Sequence, residues 1–209
     1  MKLKNWKYEL CLYLVLMILT SITLFSWHNK NISTMKGDEP HYLIISDSLI
    51  NDKTFDVIKA YKRDFEKREI YKTGLADKDA IPDESNTHAI ASSHGLFSVH
   101  NVGLPILLAI PFKFLGVLGA KLFLVLVISL IVVLIYKFVL YYTNDNKIAI
   151  LLAFSISFSK PIILGSNQIF PDLLAGLISL YALYILYQKF QSSNSRCCIK
   201  FTNEIFLSI

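Results

Sequence analysis

Apolar residues fall in long blocks separated by polar stretches, a spacing that suits bilayer-crossing helices better than a soluble core. Residues 8–25 run almost without charge behind Lys2, Lys4 and Lys7, with Glu9 at the edge and Trp27 marking an interface. A block of this kind approaches the ~20 apolar residues that cross a ~30 Å hydrocarbon layer. It is longer than the apolar region of a secretory leader and no small-x-small cleavage site follows, so it predicts an uncleaved helix, N-terminus inside. Residues 120–142 predict a second span, closed by Tyr141, Tyr142 and a polar turn at 144–147. Residues 148–165 predict a third, with Lys160 and Pro161 near its far end. After a polar break at 167–172, residues 173–187 predict the last. The stretch 103–116 carries Pro105, Pro111 and Lys113. It reaches only ~21 Å as a helix. It reads as a helix at or dipping into the outer surface, the alternative being a short, kinked span.

Between the first two of these blocks lies a polar loop too long to be a simple connector. Residues 38–50 predict a short amphipathic helix with Tyr42, Ile45 and Leu49 on one face, capped by Asp38 or Glu39, with Pro40 in the first turn. Residues 51–86 are densely charged with sparse Gly and Pro, the pattern of a mobile lobe. The chain therefore divides into a cytoplasmic N-terminus and first span (1–27), a large outer loop with surface helices (28–118), three spans with short connections (119–190), and a polar tail (191–209). The tail reads as truncated or frame-shifted. The fold class expected is an all-α integral membrane protein with a large outer loop.

Composition supports this division. Hydrophobic residues make up 54% of the chain and charged ones 18%, against about 45–50% and ~25% for soluble domains. The net charge of +5 is unevenly spread: residues 28–101 hold 10 Lys/Arg against 12 Asp/Glu, the remainder 11 against 4. Basic residues thus cluster beside the apolar blocks, as on cytoplasmic flanks, and the charge implies no nucleic-acid partner. With 103–116 left out of the count, the basic flanks at Lys2/Lys4/Lys7, Lys137/Lys147 and Lys189/Arg196/Lys200 share one side. Asp38, Glu39 and Asp172 share the other. Cys11 sits in an apolar block as a small hydrophobe, and Cys197 and Cys198 are adjacent thiols, incidental or lipidated. Asn31-Ile32-Ser33 matches a glycosylation sequon.

Polar residues at the outer face are the candidates for chemistry. Asp38 and Glu39 open a helix there, where carboxylates serve as a general base, ligate a divalent cation or simply cap the helix. His94 and His100, the latter followed by Asn101, can bind a metal or a phosphate, but their spacing fits no standard zinc pattern and ordinary loop histidines fit as well. Asp172 follows Pro171 at the mouth of the last span, where a carboxylate points to function or to N-capping. Lys160 either snorkels to the headgroups or pairs with an anionic headgroup or substrate. Asp38 and Asp172 are the candidate cation ligands.

The string GDEPHYL at 37–43, with SVHNVGLP at 98–105 and QIFPD at 168–172, resembles the N-terminal part of GT-C superfamily glycosyltransferases. These use polyprenyl-phosphate sugars and include the protein O-mannosyltransferase and aminoarabinose transferase families. The resemblance covers residues 8–190. It implies a membrane glycosyltransferase that moves a sugar from a polyprenyl-phosphate donor to an acceptor at the outer face, with Asp38 as the catalytic acid, Glu39 its partner and Asp172 the second-loop acid. His100, Asn101, His94 and Lys160 fall in with substrate binding. A divalent cation, membrane lipid and a chain supplying further spans are the implied cofactor and partners. The implied location is the inner or plasma membrane, with the loop on the periplasmic or lumenal side. Val102 stands where relatives often carry Pro, Asp172 where they carry Glu, and the spans are fewer than in such enzymes. The competing expectation is a non-catalytic multi-pass membrane protein, either a decayed fragment or a partner-binding scaffold.

Overall fold

A computed structural model describes residues 6–30, 35, 37–71 and 81–206, with side chains up to 190. The elements in order are α1 (Trp6–Asn29), α2 (Glu39–Asn51), α3 (Ile58–Lys67), β1 (Ala89–Ser92), β2 (Gly95–Ser98), α4 (Gly103–Thr143), α5 (Asn146–Ser157), α6 (Lys160–Gly165) and α7 (Asp172–Phe206). The protein is mostly helical, and among the described residues three helices are long and apolar enough to cross a membrane: α1, α4 and the 172–190 part of α7. The sequon at 31–33, the stretch 72–80 of the charged lobe and the side chains of Cys197 and Cys198 lie outside the described residues.

Two apolar cores divide the structure. The first joins Leu12 and Leu16 of α1, Ile128, Val132 and Tyr136 of α4, and Ala149 and Ala153 of α5. Small residues on α5 let that helix approach α4 closely. At one end of this bundle Lys137 pairs with Glu9 at 2.9 Å, so the start of α1 and the end of α4 lie level with each other. The second core joins α2, α3 and the hairpin to the front of α4 through Leu43, Ile44, Ile45, Val57, Tyr61, Leu96, Leu104 and Leu108.

Three features depart from the sequence pattern. First, 103–116 is the front of α4, and the chain breaks at Gly116 (φ 59°, ψ −145°) before continuing into the span. That backbone favours glycine because a side chain there is crowded. Past the break the chain passes so close that a Cβ on Gly119 would lie 2.1 Å from the Pro111 carbonyl oxygen. The front segment buries Leu104, Leu108 and Phe112 against the second core and exposes Ile106, Ile110 and Phe114. Such an apolar exposed face fits a helix at the membrane surface and a kinked span alike. Second, the span expected over 148–165 is interrupted: α5 ends at Ser157, Ser159 is extended (φ −65°, ψ 145°) and α6 restarts at Lys160 with Pro161 in its first turn. Pro161 has no N–H to bond the Ser157 carbonyl four residues back and its ring clashes with that carbonyl, so α5 cannot run on through it, although the hydropathy is unbroken. Third, the all-α expectation omits an antiparallel hairpin pairing Ala89 with Ser98 and Ser92 with Gly95.

Much of the charged lobe is also tightly held. Arg63 on α3 reaches both Asp47 (2.6 Å) and Asp52 (2.7 Å) at the end of α2. Asp64 accepts from the backbone N–H groups of Ile70 and Tyr71 at 2.7 and 2.9 Å. Asp56 accepts from Leu96 N–H at 3.0 Å, fastening the α2–α3 connection to β2. In α7 the helix continues past the apolar stretch to Phe206.

Gly119→Ala should lower the thermal unfolding midpoint in detergent, costing about 1–3 kcal/mol for an overpacked contact. Gly103→Ala, with open space around its Cβ position, should leave it unchanged.

Candidate functional site

The first turn of α2 and the two ends of the hairpin converge. Pro40 at the start of α2 presets its first turn, and nearly every residue from Glu39 to Ser46 is buried, because α2 is enclosed by α3, the hairpin and the front of α4. On the hairpin, the Ala89–Ser98 pair is extended by a bond from Val99 N–H to the His88 carbonyl at 3.1 Å. The strands thereby carry His88 and His100 to the same end, while His94 sits exposed at the tip. His88 adopts a positive φ of 47°, an uncommon conformation outside glycine that clusters at functional sites.

The result is a group of three imidazoles: His41, His88 and His100 each place one ring nitrogen within 4.8 Å of the others. The His41 ring stacks on His88 at 4.4 Å and on His100 at 5.1 Å between centroids. Behind His41 stand two tyrosines. Tyr61 donates its single hydroxyl proton to the Thr87 carbonyl at 2.5 Å, so at 2.5 Å from His41 Nδ1 it accepts. Nδ1 therefore carries the proton and the lone pair of His41 is on Nε2. The Tyr71 hydroxyl lies 3.0 Å from Nδ1 and 3.1 Å from Nε2 of His41 and is also hydrogen-bonded to Tyr61. Nε2 of His100 is buried with no hydrogen-bond partner.

Burial, and after it the neighbouring His88 and His100, brings the His41 pKa down to about 4 against an opposing pull from Asp38. The ring is neutral near pH 7. His100 is lowered too, chiefly by burial. Tyr61 and Tyr71 are raised, first by burial, and remain phenols.

Of the residues singled out in the sequence, Asp38 and His100 belong to this group. Asp38 occupies the N-cap position of α2, yet its side chain makes no capping bond. It points toward His88, 3.9 Å from Nδ1, so capping does not explain it. Asp172 is exposed at the start of α7. It joins Asp38 electrostatically at Tyr42, whose pKa is raised by burial first and then by both carboxylates. Glu39 has a different place. It is 3% exposed and accepts from Ile169 N–H at 3.0 Å, clasping α2 to the turn before α7. Asn101 is exposed beside His100, and Lys160 is exposed at the start of α6. His94 stays outside the group. The sequence reading did not single out His88, Tyr61 and Tyr71, and it gave His41 and Tyr42 no site role although both stand in the GDEPHYL string. The available signal was a short apolar alternation on either side of Ser-Ser-His-Gly at 92–95, a hairpin pattern that pairs 88 with 99. Lys121, also passed over, is 2% exposed at the start of the span that follows Gly116.

Beside Asp172 opens a mainly apolar cleft of about 550 Å³, lined by Ile131, Pro161, Leu164, Phe170 and Leu173 among others. Phe170 meets Tyr42 edge-on at 6.4 Å, joining the cleft to the first turn of α2. The chain matches no protein-family model, no curated protein and no solved structure.

Replacing Glu39 with Ala should strand the buried Ile169 N–H, at about 1–3 kcal/mol, and speed amide hydrogen exchange across 166–170. Glu39→Gln, which keeps an acceptor, should change exchange far less.

Proposed function

We propose that the protein is a membrane glycosyltransferase of GT-C type, moving a sugar from a polyprenyl phosphate to an acceptor at the outer membrane face. The observation that carries this reading is the carboxylate of Asp38, left without a capping bond at the start of α2, which the Tyr42–Phe170 contact joins to an apolar cleft rimmed by Asp172. A polyprenyl chain needs an apolar surface open to lipid, and its phosphate-sugar head needs a polar site at the rim. Ile131, Leu164 and Leu173 offer the first. Asp38, whose carboxylate is left free by the helix it opens, offers the base.

In the proposed step, Asp38 takes the proton of an acceptor hydroxyl as its oxygen bonds to the anomeric carbon. The bond from that carbon to the phosphate oxygen breaks, and the polyprenyl phosphate leaves with the electron pair. Its charge requires a cation; Lys160, exposed at the start of α6, is the side chain offered for that part. Glu39 positions α2, and Asp172 stands at the rim of the cleft.

The same proposal includes the finer topology. The α1 helix, the part of α4 after Gly116, the α5–α6 pair and α7 cross the membrane, with both basic ends inside and residues 28–118 outside. The front of α4 lies along the outer surface.

Membranes containing the chain should release label from polyprenyl-phosphate sugars into a non-lipid product. Asp38→Asn should slow this by at least ~100-fold, the lower range for a general base. No release by the unaltered chain, or release undiminished in Asp38→Asn, would sink the reading.

A further inference from the structure

We propose that His41, His88 and His100 form a binding site for one divalent transition-metal ion, with Zn²⁺ the preferred occupant. The proposal stands independently of sugar transfer. Imidazole nitrogens favour zinc and its neighbours, whereas magnesium and calcium favour oxygen ligands.

Three independent features of the geometry converge on this. The ligand atoms come from separate chain segments and lie within 4.8 Å of one another. Tetrahedral zinc with nitrogen at ~2.0–2.1 Å sets neighbouring nitrogens ~3.3 Å apart, so the nitrogens must draw together and the outer rings must turn out of their stack on His41 to aim at one ion. His88, with 59% of its side chain exposed, has the freedom to turn. Next, one ring is already oriented from behind and a second has a carboxylate close by. The Thr87–Tyr61 relay fixes the proton of His41 on Nδ1 and leaves Nε2 as the ligand atom. Asp38 stands 3.9 Å from Nδ1 of His88, the place of the carboxylates that commonly back metal-bound histidines. Last, Nε2 of His100 is buried and unpartnered. Buried polar atoms are rarely left so, and a metal would satisfy it.

Binding would displace the Tyr71 hydroxyl from Nε2 of His41. Three neutral imidazoles leave the ion its full charge and leave a coordination position open to water or an anionic oxygen, as in zinc sites that are not purely structural. The adjacent Asp38 carboxylate offsets part of that charge.

The test uses the full chain, purified in detergent on a tag without histidines and stripped with a chelator. Equilibrium dialysis against Zn²⁺ should give one ion per chain, and Co²⁺ should develop the visible bands of tetrahedral coordination. His88→Ala and His100→Ala should each weaken binding by more than ~100-fold, the upper end for loss of a mere backing partner. His94→Ala should not change it. Zn²⁺ should also raise the thermal midpoint of the unaltered chain but not of His88→Ala, which separates lost binding from lost folding. Absence of stoichiometric binding, or equal weakening by His94→Ala and His88→Ala, would overturn the site.

Discussion

The buried carboxylate of Glu39 accepting the Ile169 N–H is the contact on which the arrangement of the site depends. It joins positions 130 residues apart in sequence and ties the first turn of α2, in the polar loop, to the turn that leads into α7. A directed hydrogen bond fixes register, which apolar contacts alone do not. With it, Tyr42 is held against Phe170, and the apolar cleft with Asp172 at its edge opens next to the first turn of α2. A polar group that deep is costly unless satisfied, so the contact is also unforgiving of change.

A second constraint shapes the polar half of the site. The hairpin registers His88 against Val99, which delivers two imidazoles to a third on α2. Asp56 and Val57 then pin the hairpin to the α2–α3 connection through Leu96. Arg63 pins α3 to α2 through two carboxylates. A densely charged lobe is thus converted into a scaffold, its ion pairs setting the position of Tyr61 and hence the orientation of His41.

Sequence alone revealed what the hydrocarbon layer demands. Runs of apolar length at 8–25, 120–142 and 173–187 correspond to helices α1, α4 and α7, since each must satisfy its own backbone in lipid. The short block ending at Gly116 was visible too, because glycine and two prolines punctuate it. The interruption at Ser159 was masked by continuous hydropathy, even though Pro161 marks it. Site residues were harder. Asp38 stood out by its position at a helix start, but whether its side chain caps that helix is invisible in sequence; in the structure it makes no cap bond. His94 and His100 attracted attention by proximity. Strand pairing instead joins His100 to His88, a non-local relation that spacing cannot express. Glu39 beside Asp38 read as a second site acid, and its contact with Ile169 depends on how the loop docks.

The account therefore rests on one face: the loop and the α6–α7 turn at one end of the bundle, the turn at Asn144 at the other, where Lys137 meets Glu9. Single-cysteine variants at His94, Asp172 and Asn144, in a chain with Cys11, Cys197 and Cys198 replaced, test this directly with a membrane-impermeant maleimide on intact cells. Labelling at 94 and 172 without lysis, and at 144 only after it, is the expected result. Labelling at 94 but not 172 in intact cells would contradict a shared face.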